Sequence, residues 1–164
     1  SKKLTPRKRE EWYGKLNALR ESGHLNFATA SSSAKIIDRR GIILAIQRAL
    51  EKCLKVLDAN PATCEILLDG SLCAPEIFTK QKTIIRGDDL VPLISMASIV
   101  AKVKRDALMR ELSVLYPAYG FDSHKGYGTR RHFKLLREFG MCNLHRTTFC
   151  KRFAKSNIKY QKSK

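Results

Sequence analysis

Two short apolar runs, CEILLDG (64–70) and KTIIRGDD (82–89), constrain the fold more than any other feature of the chain. Each has the length of a buried strand and each is stopped by aspartate and glycine, so each reads as a strand delivering a carboxylate at its C-terminal end. Around them the pattern is helical. Ile42, Ile43, Ile46, Leu50, Cys53, Leu54 and Leu57 recur at helical spacing while Arg39, Arg40, Gln47, Arg48, Glu51, Lys52 and Lys55 take other faces, which predicts an amphipathic helix within residues 34–57. The segment LVPLISMASIVAKVKRDALMRELSVLY predicts a long helix with Pro92 in its first turn and Pro117 closing it. Thr5 and Pro6 form a cap and first helical position for a basic helix that Ser22 and Gly23 stop; Thr129 caps another that Gly140 ends. Strands alternating with helices point to an α/β architecture.

The chain has 164 residues, 43% of them hydrophobic, enough for one domain with a core. Lys and Arg number 32 against 15 acidic residues, a formal charge of +17, so the surface should attract a polyanion, with nucleic acid the leading candidate. No stretch reaches the ~18 consecutive apolar residues of a membrane span and the opening residues lack the apolar core of a secretory signal, so a cytoplasmic location is expected. The five cysteines are an odd set without a Cys-x-x-Cys pair, which argues against a disulfide framework and a structural zinc site.

Asp69 and Asp88, at the ends of neighbouring strands, can converge on one hard cation, because carboxylate oxygens suit magnesium or manganese. The alternative is that each caps a turn beside its glycine. A site that hydrolyses phosphodiesters with two ions ~3.5–4 Å apart calls for three or four carboxylates, and two are visible. In SHKGYGT (123–129), Lys125 can meet a phosphate and Tyr127 can stack on a sugar or base; the alternative is a packed tyrosine beside a solvated lysine. Lys102 and Arg105 share nearly one helix face and could grip phosphates, or Arg105 could pair with its neighbour Asp106. His145 and Arg146, just past a helix end, suit either phosphate contact or local capping.

LLDG, RGDDLVPLISMASIVAKVKRD, YPAYGFDSHKGYGTRRH and LHRTTF, in this order and after the opening SKKLTPRKREE, closely resemble the ribonuclease HII family. The resemblance covers essentially the whole chain. It implies a ribonuclease H-like α/β fold, a mixed central sheet flanked by helices with a C-terminal helical region, over residues 1–154, followed by a basic frayed tail at 155–164. It also implies an endonuclease, monomeric when complete, acting on RNA–DNA hybrids and on ribonucleotide-containing duplex DNA. Such an enzyme cuts 5′ of single embedded ribonucleotides by two-metal-ion catalysis with manganese or magnesium.

By the same resemblance Asp69 and Asp88 are the third and fourth of four catalytic, metal-holding carboxylates; Asp88 takes the role rather than Asp89 because the motif position directly follows Gly87. Tyr127 resembles the tyrosine set against the ribose at the junction, and Lys125, Lys2, Lys3 and Arg146 match positions near the substrate backbone. The family's Gly-x-Asp-Glu-x-Gly-Arg-Gly strand, with the first two carboxylates and the loop that helps read the ribose 2′-hydroxyl, has no counterpart in these residues. The chain is therefore expected to be an N-terminally truncated enzyme, with a catalytically incomplete nucleic-acid-binding fragment as the alternative. Without that strand, the edge beside the strand ending at Asp69 is expected to be unpaired and the isolated chain marginally stable.

Overall fold

The computed structural model describes residues 3–151 and residue 153. The polypeptide divides into two compact units, Ser1–Ser31 with Ile46–Lys104 and Ser32–Ala45 with Arg105–Lys164. Its architecture is mixed α/β and mostly helical, with one small parallel sheet.

In the first unit, α1 (Pro6–Glu21) starts where the sequence places it: the Thr5 hydroxyl accepts from the Lys8 N–H, Pro6 occupies the first turn, and the Ser22 N–H closes on the Ala18 carbonyl. Leu16 of α1 is buried with Ile99, Val100 and Val103 of α5 (Pro92–Leu115), a helix that begins at Pro92 and stops before Pro117 as predicted. A second apolar cluster joins Leu54, Leu68, Ala74 and Phe78 beneath the sheet strands β1 (Ile66–Asp69) and β2 (Gln81–Ile84). These strands pair in parallel, Ile66 opposite Gln81 and Asp69 opposite Ile84. Parallel strands usually return through a helix; here the crossover is helix-free and is tied down by side chains instead. The Gln81 amide accepts from the Ala74 N–H at 2.8 Å and donates to the Phe78 carbonyl at 3.0 Å, while the Thr83 hydroxyl donates to the Leu72 carbonyl at 3.2 Å.

Two expectations change. The single helix expected within 34–57 is two, α2 (Ala34–Arg40) and α3 (Ile42–Val56), because Gly41 adopts a φ of 83° that breaks the helical path. Asp88 does not end a strand: β2 stops at Ile84, Arg86 turns the chain with a left-handed φ of 58°, and Asp88 lies in the first turn of a short helix, α4 (Gly87–Leu90). Of the mixed sheet that the resemblance implies, the described residues form two strands, both parallel.

In the second unit a turn of 3-10 helix (Pro117–Tyr119) leads to α6 (Phe121–His124), α7 (Arg130–Phe139) and α8 (Thr147–Cys150), numbered after α5. Thr129 caps α7, its hydroxyl accepting from the His132 N–H at 3.2 Å, and the Gly140 N–H closes on Leu136. The core here is Met109, Tyr119, Phe121, Leu136, Met141, Cys142 and Cys150. The expected frayed tail, 155–164, lies outside the described residues. Among those residues no helix is long and apolar enough to cross a membrane.

Candidate active site

Asp69 is the last residue of β1, and buried Leu68 before it anchors the strand end in the core. Its Oδ1 accepts the Gly87 N–H at 2.8 Å, and the Gly70 N–H donates to the Ile84 carbonyl at 3.1 Å. The two Asp-bearing segments are therefore stitched together, with Asp88 directly following the residue that holds Asp69. The space at that join is tight. A Cβ at Gly87 would stand 2.7 Å from Ile94 Cδ1 and 3.4 Å from Asp69 Oδ1. Gly87→Ala is accordingly expected to force the Ile94 side chain to shift and to cost about 1–3 kcal/mol, the usual range for overpacking a filled interior. Urea unfolding should show the lower midpoint; a midpoint equal to the parent's would mean Ile94 gives way freely.

Asp69 has one oxygen committed to an amide and one left over, and carboxylate oxygens are the donors that hard divalent cations prefer. Among the described residues, however, no group of three or more His, Cys, Asp or Glu gathers as a metal site. The donor chemistry fits magnesium or manganese; the donor number falls short of a two-ion site.

Asp89 is engaged differently. Its Oδ1 lies 3.3 Å from Lys3 Nζ and its Oδ2 accepts from Arg86 Nη2 at 3.1 Å. Hydrogen bonds from Arg86 and then Lys3 hold its carboxyl below the usual carboxylate value. Asp89 thus pairs with Lys3, whose side chain is 77% exposed. Lys2 lies outside the described residues. Because the folded value is depressed, this contribution to stability is present above the unfolded aspartate value of about 3.9 and fades as pH falls through the lower folded value. NMR titration of Asp89 should show the depression shrinking in high salt, since both cations are exposed; a salt-independent value would place its cause elsewhere.

The second unit holds the loop that carries Lys125 and Tyr127. Lys125 sits at φ 51° after α6, its ammonium donating to the Asp122 carbonyl at 2.5 Å and its own carbonyl accepting from Arg105 Nη2 at 3.2 Å. Arg105 is thus a clamp on this loop. Tyr127 is 49% exposed, and its backbone is fixed: the N–H donates to the His124 carbonyl at 2.8 Å and the carbonyl accepts from the Thr129 N–H at 2.8 Å.

Arg146 precedes α8 and stacks its guanidinium on Phe149 at 4.8 Å, making no side-chain cap. The cap comes from Asp38, a residue that no motif singles out. Its carboxylate accepts from the Thr147 N–H at 2.5 Å and the Thr148 N–H at 3.2 Å, and from the Thr148 hydroxyl. Burial would raise the Asp38 carboxyl, but the bonds from Thr148 and Thr147 outweigh it and hold it below the usual value. His145 is buried and faces inward, accepting at Nδ1 from the Cys142 N–H at 3.0 Å, which removes it from the phosphate-contact candidates.

Comparison with known proteins agrees with the motifs. The sequence pattern of the family described as ribonuclease HII matches residues 1–152. A ribonuclease HII of Dichelobacter nodosus is 45% identical over 149 residues, 91% of this chain and 75% of the relative. One of Prochlorococcus marinus is 41% identical over 149 residues, 91% of this chain and 68% of the relative. A third, of Caldicellulosiruptor saccharolyticus, is 38% identical over 151 residues, 92% of this chain and 70% of the relative. With its motifs in order and a match reaching from residue 1 to residue 152, the chain belongs to the ribonuclease HII family.

Proposed function

We propose that the chain acts as a ribonuclease H-like endonuclease on the RNA strand of RNA–DNA hybrids, and 5′ of single ribonucleotides in duplex DNA. The observation that carries the reading is the Asp69–Gly87 bond, which puts one family carboxylate against the turn that presents the other. Asp69 and Asp88 would hold divalent metal, magnesium or manganese, and would need further carboxylates to complete a two-ion site. A metal held there would supply positive charge at the phosphate and would acidify water. The chain's own residues do the rest. Gly87 N–H fixes the direction of the Asp69 carboxylate, Tyr127 packs its exposed ring on the ribose, and Lys2, Lys3, Lys125 and Arg146 meet backbone phosphates. The +17 charge raises the local concentration of any nucleic acid.

One observation favours a second reading, a nucleic-acid-binding chain without catalysis: among the described residues no group of three or more His, Cys, Asp or Glu could hold a metal ion. A duplex containing one ribonucleotide, incubated with the chain and manganese, separates the two. Cutting 5′ of the ribonucleotide that disappears in Asp69→Asn supports the endonuclease; binding without cutting supports the second reading.

A further inference from the structure

Three histidines, two of them far apart in sequence, meet in the interior of the second unit. His124, His132 and His145 are all buried, His124 and His132 are stacked at 4.1 Å, and His132 Nε2 lies 3.1 Å from His145 Nε2. The surrounding bonds fix which nitrogen carries each proton. The Cys142 N–H donates to His145 Nδ1, so in the neutral ring the proton is on Nε2 and is donated to His132 Nε2. His132 must then carry its proton on Nδ1, which faces the Tyr127 carbonyl at 2.9 Å. His124 is set in the same way: Nδ1 accepts from the Gly126 N–H at 3.1 Å, leaving Nε2–H for the Tyr119 carbonyl at 2.6 Å.

We propose that His132 and His145 are positioning residues, a neutral one-way hydrogen-bond relay from Cys142 to the Tyr127 carbonyl that holds the Lys125–Gly128 loop in its binding shape. The functional half of this statement rests on the proposed role of Tyr127. A proton added to His132 goes on Nε2 and meets the His145 Nε2–H across 3.1 Å, and one added to His145 goes on Nδ1 and meets the Cys142 N–H across 3.0 Å, so the relay has only one working charge state. The titratable groups facing the pair are His124 from α6, Tyr119 from the 3-10 turn and Cys142 after α7. None is an anion at neutral pH: burial pushes Tyr119 up to about 12 and raises the Cys142 thiol. Burial, and then the neighbouring histidines, lower His145 to about 4, and burial lowers His132. The relay therefore stays neutral, and working, at physiological pH.

The test has three readouts on the same chain. Nitrogen-15 spectra of the histidine rings at pH 7 should show His132 protonated at Nδ1 and His145 at Nε2; the opposite tautomer at either ring overturns the relay. Amide exchange at Gly126, Tyr127 and Thr129 should quicken about tenfold in His132→Leu, the scale of losing one internal hydrogen bond, while α1 amides stay unchanged. His132→Asn, which keeps an N–H near the Nδ1 position, should restore most of the protection. Loop exchange equal to the parent's in His132→Leu overturns the positioning role. Finally, the preference for a duplex with one ribonucleotide over an all-DNA duplex should fall together in Tyr127→Ala and His132→Leu, and return in His132→Asn. If Tyr127→Ala keeps the preference, the proposed role of Tyr127 fails and the exchange data decide the relay alone. If Tyr127→Ala loses it and His132→Leu keeps it, the relay does not serve the binding loop.

Discussion

Asp69→Asn is expected to leave the fold standing and to remove manganese binding along with any cleavage. The distinction follows from what the carboxylate does on each of its two oxygens. Oδ1 accepts the Gly87 N–H, a task that an asparagine carbonyl oxygen can take over with a weaker, uncharged bond. The negative charge is the part a divalent cation needs, and asparagine lacks it. Thermal unfolding of Asp69→Asn should therefore stay close to the parent's, whereas manganese affinity should collapse and cleavage fall by at least about 10²-fold, the scale of losing one preorganised electrostatic partner. Asp69→Ala separates the second task. It leaves the part-buried Gly87 N–H without its acceptor, a loss of about 1–3 kcal/mol, which in a chain of this length lowers the melting temperature by several degrees. Manganese titration and thermal melts of the two variants give a direct comparison. Equal destabilisation in both would mean that charge, rather than the bond to Gly87, holds the turn; unchanged manganese affinity in Asp69→Asn would remove Asp69 from the metal site.

The features that could be read from sequence are those whose physics is local. Thr5, Thr129, Pro6 and Pro92 cap or open helices through bonds and dihedrals that span three or four residues, and each does so in the structure. The run ending at Asp69 was legible for the same reason, since an apolar stretch stopped by Asp and Gly needs no distant partner to be recognised; the second run was legible as a strand, but its end was not, because β2 stops at Ile84 and Asp88 lies in the first turn of α4. Gly41 was not, because a single glycine is tolerated within a helical pattern and the apolar spacing continues straight through it. The α4 turn depends on Arg86 taking a left-handed conformation, which ordinary side chains disfavour and no propensity would predict. Asp38 and Thr147, more than a hundred residues apart, have no shared periodicity to betray them. The histidine relay was hidden likewise: HKGYG suggested a ligand loop, but nothing in that stretch says that its carbonyl is held by His132 and, behind it, by His145.

Phe121→Ala should be the most damaging single change in the second unit. The ring is 2% exposed and lies at the centre of the aromatic cluster. It stacks on Tyr119 at 5.5 Å and turns its edge or face to Tyr116 at 6.4 Å, His124 at 5.8 Å, His132 at 6.1 Å and His145 at 5.6 Å. Truncating a buried Phe costs about 3–5 kcal/mol, a large share of the 5–15 kcal/mol that roughly bounds the stability of a domain. Phe121→Leu, which keeps most of the volume, should cost well under half as much. The cavity also bears on charge. His145 is held near 4, against its ordinary 6.5, chiefly by burial. A histidine depressed in the folded state is stabilising above its unfolded value, and that contribution is lost as pH falls from about 6.5 through the folded value, because the unfolded chain takes up the proton first. The parent should therefore weaken steeply between pH 7 and pH 4. Water entering the space left by Phe121 would relieve the desolvation and lift His145 towards 6.5, so the variant should start less stable and lose less on acidification. Urea unfolding at pH 7 and pH 5 reads both effects at once; parallel losses in parent and variant would show that the Phe121 ring is not what keeps water from His145.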